Sequence, residues 1–194
     1  VKKLMTASCL VLTGAVTAAA PAPALAASPA LTQAAASPAA ATVRAGTAAK
    51  NCQTRSIKSL ANGRYVSAEF GWSGSDSGML RARATKVGPW EKFVICYGTS
   101  YHTIMSWQRS RYVAAELGNK GDRYGMLRAR TFTLNEPGPW ERFWIASCGK
   151  GCVTIRRLNV WSFVSAELGH TGDKYGMLRA RAREIGPWEK FSIQ

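Results

Sequence analysis

The chain has 194 residues and carries 26 Lys and Arg against 11 Asp and Glu, a formal charge of +15 at neutral pH. With 46% hydrophobic residues and seven Trp it holds enough apolar mass to form a core, which excludes disorder over its whole length. Beyond residue 30 no run nears the roughly twenty apolar residues of a membrane span, and two His exclude a His-rich metal site.

In chain order the first segment is an address. Val1-Lys2-Lys3 supplies a positive start, Leu4 to Ala20 is an apolar run, and Pro21 and Pro23 break it ahead of the small residues Ala24-Leu25-Ala26. Residues 1–26 therefore read as a secretory signal peptide. Val1 fits an alternative bacterial start codon, and Cys9 lies too early to be a lipoprotein cysteine. The expectation is a bacterial protein secreted to the extracellular space, with no membrane attachment after cleavage. Residues 27–50 are almost wholly Ala, Ser, Thr, Pro and Gln; they offer little to bury and read as a disordered linker. Four of the 26 basic residues precede residue 51, so 22 basic and all 11 acidic residues belong to the remainder, which is +11.

Export changes the meaning of the cysteines. Cys52, Cys96, Cys148 and Cys152 remain, an even number that points to two disulfides among three possible connectivities. The short Cys148–Cys152 spacing invites a local bridge, which would leave Cys52 with Cys96. Zinc is the rival reading, but paired C-x-x-C spacing is lacking, so no metal is expected.

The decisive feature is an internal repeat. Tyr65-Val66-Ser67-Ala68-Glu69 recurs as Tyr112 to Glu116 and as Phe163 to Glu167. Met-Leu-Arg-Ala-Arg follows each time, at Met79 to Arg83, Met126 to Arg130 and Met177 to Arg181, and then Gly-Pro-Trp-Glu-basic-Phe at Gly88, Gly138 and Gly186. Ile57, Ile104 and Ile155 lead the three units. The repeats span about 51–98, 99–150 and 151–194. Each reads as four short strands, in the first repeat near Ile57 and at 64–69, 79–84 and 91–95, separated by Asn62-Gly63, a Gly-Ser-Asp cluster and Gly88-Pro89. Twelve short strands satisfy their backbone groups by closing a barrel, and three units fall short of a propeller. The predicted fold is all-β, a β-trefoil of three pseudo-symmetric four-stranded repeats. Leu80/Ala82, Val66, Phe93, Ile95 and their counterparts should fill the core. The three Gly-Pro-Trp rings are expected to gather around the pseudo-axis, while Arg81 and Arg83 point outward opposite Ser67 and Tyr65.

Tyr-Val-x-Ala-Glu, Leu-x-Ala-Arg and Gly-Pro-Trp-Glu-x-Phe together resemble the repeat of fascin-like β-trefoil domains, over essentially all of residues 51–194. The resemblance implies the trefoil fold. For eukaryotic members it implies cross-linking of actin filaments, and for secreted bacterial and plant relatives an association with carbohydrate. Fascins that bundle actin carry several tandem trefoils, and one is present here.

Nothing in the repeats looks catalytic, because an enzyme needs one asymmetric cluster of acid, base or nucleophile and nearly every polar residue here has symmetry copies. No cofactor is expected. Glu69, Glu116 and Glu167, with Glu91, Glu141 and Glu189, read as partners of Arg and Lys. The arginine pairs Arg81/Arg83, Arg128/Arg130 and Arg179/Arg181 have two readings: stems that cover the barrel, or anion-binding stations for an acidic polysaccharide or wall polymer. In the loop before each Met, Asp122 and Tyr124 match Asp173 and Tyr175, whereas repeat 1 has Ser75 and Ser77. With Asn119 and His170 they suggest sugar pockets in repeats 2 and 3, or a turn in which Asp opens and Tyr packs. The basic residues are dispersed, which speaks against specific nucleic-acid binding. The expectation is a monomeric, lectin-like module for extracellular or cell-wall polysaccharide. Actin filaments are the alternative partner, and inhibition of a hydrolase through the 131–139 connection is a third reading.

Overall fold

The computed structural model describes residues 51–132 and 136–194. The expected signal peptide and linker, and the centre of the 131–139 connection, lie outside the described residues.

Twelve strands form: β1 Asn51–Ser59, β2 Tyr65–Glu69, β3 Met79–Ala84, β4 Lys92–Tyr97, β5 His102–Ser106, β6 Arg111–Glu116, β7 Met126–Phe132, β8 Phe143–Gly149, β9 Cys152–Arg157, β10 Phe163–Glu167, β11 Met177–Ala182 and β12 Phe191–Ile193. Six close a ring by antiparallel pairing in the order β1, β4, β5, β8, β9, β12 and back to β1. Closure leaves the barrel with no open edge. The other six form three hairpins, β2–β3, β6–β7 and β10–β11. These join pairwise through β3–β7, β7–β11 and β11–β3 into a triangular cap over one end of the barrel. This is a β-trefoil, as the repeat predicted.

The core repeats three-fold. Ile57, Ile104 and Ile155, Phe93, Phe143 and Phe191, and Leu80, Leu127 and Leu178 are all fully buried, with the repeated Val and Ala between them. Each buried Leu, Ile or Phe contributes about 1.5–3 kcal/mol. Ile95 is fully buried, but Ile145 and Ile193 are only partly so. At the centre of the cap Met79, Met126 and Met177 pack as a separate buried cluster.

The hairpins approach one another so closely that three glycines are obligatory. Ala129 N–H donates to Gly78 O, Ala180 N–H to Gly125 O, and Ala82 N–H to Gly176 O, at 2.8, 2.7 and 2.7 Å. All three glycines have φ between +71° and +83°, and an added Cβ would lie 2.4–2.8 Å from the facing carbonyl oxygen. A side chain at any of them would have to take a left-handed φ and also push a backbone carbonyl away.

Two disulfides form, Cys52–Cys96 across the paired β1 and β4, and Cys148–Cys152 within the β8–β9 turn. In the chain-entropy account the first stabilises by about 4 kcal/mol and the second by about 2 kcal/mol.

Four expectations are corrected. Arg81 and its counterpart Arg179 do not point outward but are buried, and Glu91, Glu141 and Glu189 bond to their own turn or to Thr131, not to Arg or Lys. A bulge between Tyr65 and Val66 pairs Tyr65 with Ala84 and Val66 with Ala82, so Arg83 is the extra residue and does not face Tyr65; Arg81 does face Ser67. The same bulge recurs in the other hairpins, and it turns the second Arg of each pair toward the strand-ending Glu. The Gly-Pro-Trp rings do not gather at the pseudo-axis, which the methionines occupy. In repeats 1 and 3 Pro-Trp-Glu folds as a 3₁₀ turn, in which Glu91 and Glu189 accept the Gly88 and Gly186 N–H at 2.8 Å. Glu141 in repeat 2 accepts the Thr131 hydroxyl. In all three repeats the Glu is buried and its neighbouring Trp is left outside.

Candidate functional site

The six repeated arginines divide by position. The first of each pair reaches across a repeat boundary and clasps the loop of the preceding hairpin, repeat 1 reaching round to repeat 3. Arg81 Nε and Nη2 donate to Tyr175 O and Gly172 O at 3.0 Å each, and Arg179 does the same to Tyr124 O and Gly121 O at 2.9 and 3.0 Å. Arg128 completes the ring on Ser77 O and Gly74 O at 2.6 and 2.9 Å. Arg81 and Arg179 are buried, and desolvation pulls their pKa down. The second Arg of each pair holds the strand-ending Glu. Arg83 grips both oxygens of Glu69, Arg181 both oxygens of Glu167 at 2.6 and 2.7 Å, and Arg130 lies 2.9 Å from Glu116. These carboxylates raise the Arg83 and Arg181 pKa, and the guanidinium groups stay about half-exposed.

The loop residues singled out by the repeat differences do not converge on one pocket. Asp122 is exposed and pairs with Lys174 of the next loop at 2.9 Å, which lowers its pKa. Asp76, read in the sequence only as part of a turn cluster, takes a bidentate hydrogen bond from Arg123 at 2.9 and 2.7 Å. These two pairs staple successive hairpin loops. Asp173 instead lines a cavity of about 180 Å³ on the pseudo-axis, with Trp72, Asp76, Arg123 and Lys174 around it and Met79 and Met177 below. Tyr124 and Tyr175 are both exposed, while their carbonyls are the ones clasped by Arg179 and Arg81. His170 acts electrostatically on Asp122, and Asn119 is half-buried.

Exposed aromatic surface lies elsewhere. Trp90, Trp140 and Trp188 are 37%, 50% and 41% exposed, one per repeat. Trp140 lines a groove of about 140 Å³ with Leu117, Gly118, Glu116 and Arg130. Trp90 packs its ring 5.7 Å from Phe70, and the Trp188 ring lies against Gly169. Each ring therefore sits at the residues just past its repeat's strand-ending Glu, and Trp140 shares its groove with the Glu116–Arg130 pair. Sequence reasoning placed these rings inside because a regularly spaced Trp resembles core. The signal that they face outward was the charged Glu directly after them, which folds back to cap the turn.

Two further clefts, each of about 270 Å³, lie at the junctions between repeats. Arg109, Arg111, Arg128, Arg130, Phe70 and Ser77 line the one between repeats 1 and 2. Tyr124, Trp161, Arg157, Arg181 and Arg183 line much of the one between repeats 2 and 3. Trp161 is 73% exposed, the most exposed Trp of the chain, whereas Trp72 is half-buried.

The fold and its repeated surface aromatics define a β-trefoil protein, and solved structures agree. The chain is similar to ThreeFoil, a designed 3-fold symmetric protein, at 12% identity over 72% of this chain and 96% of that one, TM-score 0.57. It is similar to a ricin B-like lectin of Macrolepiota procera in complex with lactose, at 18% identity over 73% and 94%, TM-score 0.54. An exo-β-1,3-galactanase of Clostridium thermocellum matches at 13% identity over 72% of this chain and 29% of that one, TM-score 0.58. At these identities the likeness shows the fold. No family model matches the chain, and no curated protein matches it either, so the fascin-like resemblance rests on the repeat motifs alone.

Proposed function

We propose that the chain is a secreted, non-catalytic, lectin-like module that binds extracellular or cell-wall polysaccharide through sites repeated around the trefoil. The observation that carries this reading is the three-fold set of exposed Trp90, Trp140 and Trp188, of which Trp140 shares a groove with the Glu116–Arg130 pair. A tryptophan face held in place by the fold stacks on the apolar face of a pyranose, and an adjacent Glu–Arg pair offers both acceptors and donors to its hydroxyls. Three weak sites on one rigid body gain avidity on a polymer without any single strong contact. The ricin B-like lectin solved with lactose supports the reading by its shared fold.

The test is retention of the full chain on insoluble peptidoglycan, chitin, cellulose, xylan and β-1,3-glucan, with actin filaments alongside, at about 150 mM salt so that exposed charges are screened. Saturable retention on a glycan is expected. Each of Trp90→Ala, Trp140→Ala and Trp188→Ala should weaken it about tenfold, roughly 1.4 kcal/mol, and the triple variant should abolish it. Retention that is indifferent to all three tryptophans, or bundling of actin with no glycan retention, refutes the reading.

A further inference from the structure

The three junctions between repeats are built on one plan but carry different chemistry. At the turn that enters each cap hairpin, repeat 1 has Asn62 and Arg64, repeat 2 has Arg109 and Arg111, and repeat 3 has Val160 and Ser162. Asn62 donates to Ala82 O at 2.9 Å, and Ser162 to Ala180 O at 2.6 Å, so these two finish the fold at their junctions. In repeat 2 Arg111 donates one N–H to Arg130 O at 2.9 Å and stacks 4.0 Å over the Phe132 ring. Arg109 makes no hydrogen bond or ion pair among the described residues; its guanidinium lies 5.8 and 5.9 Å from the Phe70 and Trp90 rings.

Four guanidinium groups thus line one cleft of about 270 Å³ with no carboxylate in its wall. All 11 acidic residues belong to the described part of the chain. The one that touches this set is Glu116, 2.9 Å from Arg130 and 3.9 Å from Arg128, and Asp76 nearby is taken by Arg123. Arg128 has a structural task on the neighbouring loop. Arg109 has none, since the turn it occupies closes with Asn or Val in the other repeats. It is exposed beside the Phe70 and Trp90 rings, with its five N–H donors directed to no protein acceptor among the described residues.

We propose that the cleft between repeats 1 and 2 is an anion subsite that takes a carboxylate, sulfate or phosphate group carried on the polysaccharide. Arg109 and Arg111 are its recognition residues. The proposal rests on the glycan reading above and narrows it to an acidic polymer. Bidentate geometry suits guanidinium groups to these oxyanions. Phe70 lines the cleft and packs on Trp90, so the stacking surface of repeat 1 runs directly into it. A glycan lying on Trp90 would carry its next acidic substituent over Phe70 to Arg109. The junction between repeats 2 and 3 also carries arginines, Arg157, Arg181 and Arg183, but sets Trp161, Tyr124 and Val160 among them.

The experiment uses the full chain at about 150 mM salt and measures Kd for polygalacturonate, heparin and a phosphate-linked polyol, with soluble β-1,3-glucan as the neutral glycan. A single-stranded oligonucleotide supplies the non-glycan polyanion. The Arg109→Gln/Arg111→Gln double variant is compared with Lys120→Gln/Lys150→Gln, which removes the same charge from exposed positions outside the cleft. The arginine variant should weaken the preferred acidic polymer at least tenfold and the lysine variant less than threefold; Tm should be unchanged in the lysine variant and fall by only about 5 °C in the arginine variant, which loses the Arg111 bond to Arg130 O and its stack on Phe132. Whichever of the three acidic polymers is preferred identifies the oxyanion. Equal weakening by both variants would reduce the effect to bulk charge and overturn the subsite. So would an oligonucleotide bound as tightly and lost as steeply with the arginines. If neutral-glycan retention survives in the arginine variant and is lost in Trp140→Ala/Trp188→Ala, the glycan reading stands whatever becomes of the subsite. If no glycan is retained by the wild-type chain, both fall.

Discussion

Replacing Gly78 by Ala tests whether close approach of the hairpins, and not merely turn geometry, fixes glycine before each Met. At φ +83° an alanine pays about 1–2 kcal/mol for the left-handed conformation. Its Cβ would stand 2.4 Å from Ala129 O and 3.2 Å from the carbonyl carbon, both backbone atoms that cannot swing away. Relief requires β7 to move off β3, which gives up the 2.8 Å bond from Ala129 N–H to Gly78 O, worth about 1 kcal/mol, and loosens the methionine cluster beside it. The total is about 3 kcal/mol or more, a fall in Tm on the order of 10 °C for a domain of this size. Gly63→Ala is the control, since Gly63 has φ +65° with nothing within 4 Å of an added Cβ. It should show the conformational cost alone, about 1–2 kcal/mol. The assay is urea unfolding followed by Trp fluorescence, with both variants in the full chain. A difference of at least about 1.5 kcal/mol between them is expected. If they agree within about 0.5 kcal/mol, the close-packing argument is refuted.

Arg81→Lys keeps the charge but cannot span Tyr175 O and Gly172 O together, so it should cost about 2 kcal/mol in the same assay. Arg109→Gln, with no hydrogen bond to lose, should stay within about 0.5 kcal/mol. His102 is buried, stacked 5.1 Å from the Trp144 ring, with Nδ1 unpartnered among the described residues, and desolvation pushes its pKa below the usual 6.5. A base with a depressed native pKa leaves the unfolded chain binding more protons, so its contribution is complete above about pH 6.5 and declines as pH falls below that value. Urea midpoints between pH 7.5 and 5 should therefore drop more steeply in the wild type than in His102→Phe; parallel slopes would remove His102 as the cause.

The sequence alone determined the architecture. A repeat of three units, each with four alternating strands and turn residues at fixed offsets, has few ways to satisfy its backbone, and a closed barrel with a triangular cap is the one with no open edge. Pairing of the strand-ending Glu with Arg was also legible, because Glu69 and Arg83 lie on neighbouring strands of one hairpin. Contacts that cross from one repeat to another were not. That Arg81 clasps repeat 3, that Met79, Met126 and Met177 meet on the axis, and that Gly78 touches Ala129 all depend on how hairpins pack, a relation no local pattern encodes. The orientation of the Gly-Pro-Trp rings turned on a competition that composition could not weigh. Either Trp or Glu could enter the interior at that turn, and Glu does, because its carboxylate satisfies the turn's own backbone N–H while a Trp there would leave it unpaired. The arginine cleft is divided between the two: the β6–β7 hairpin of repeat 2 by itself brings Arg109 and Arg111 toward Arg128 and Arg130, but only the juxtaposition of repeats 1 and 2 closes the cleft with Phe70 and Ser77.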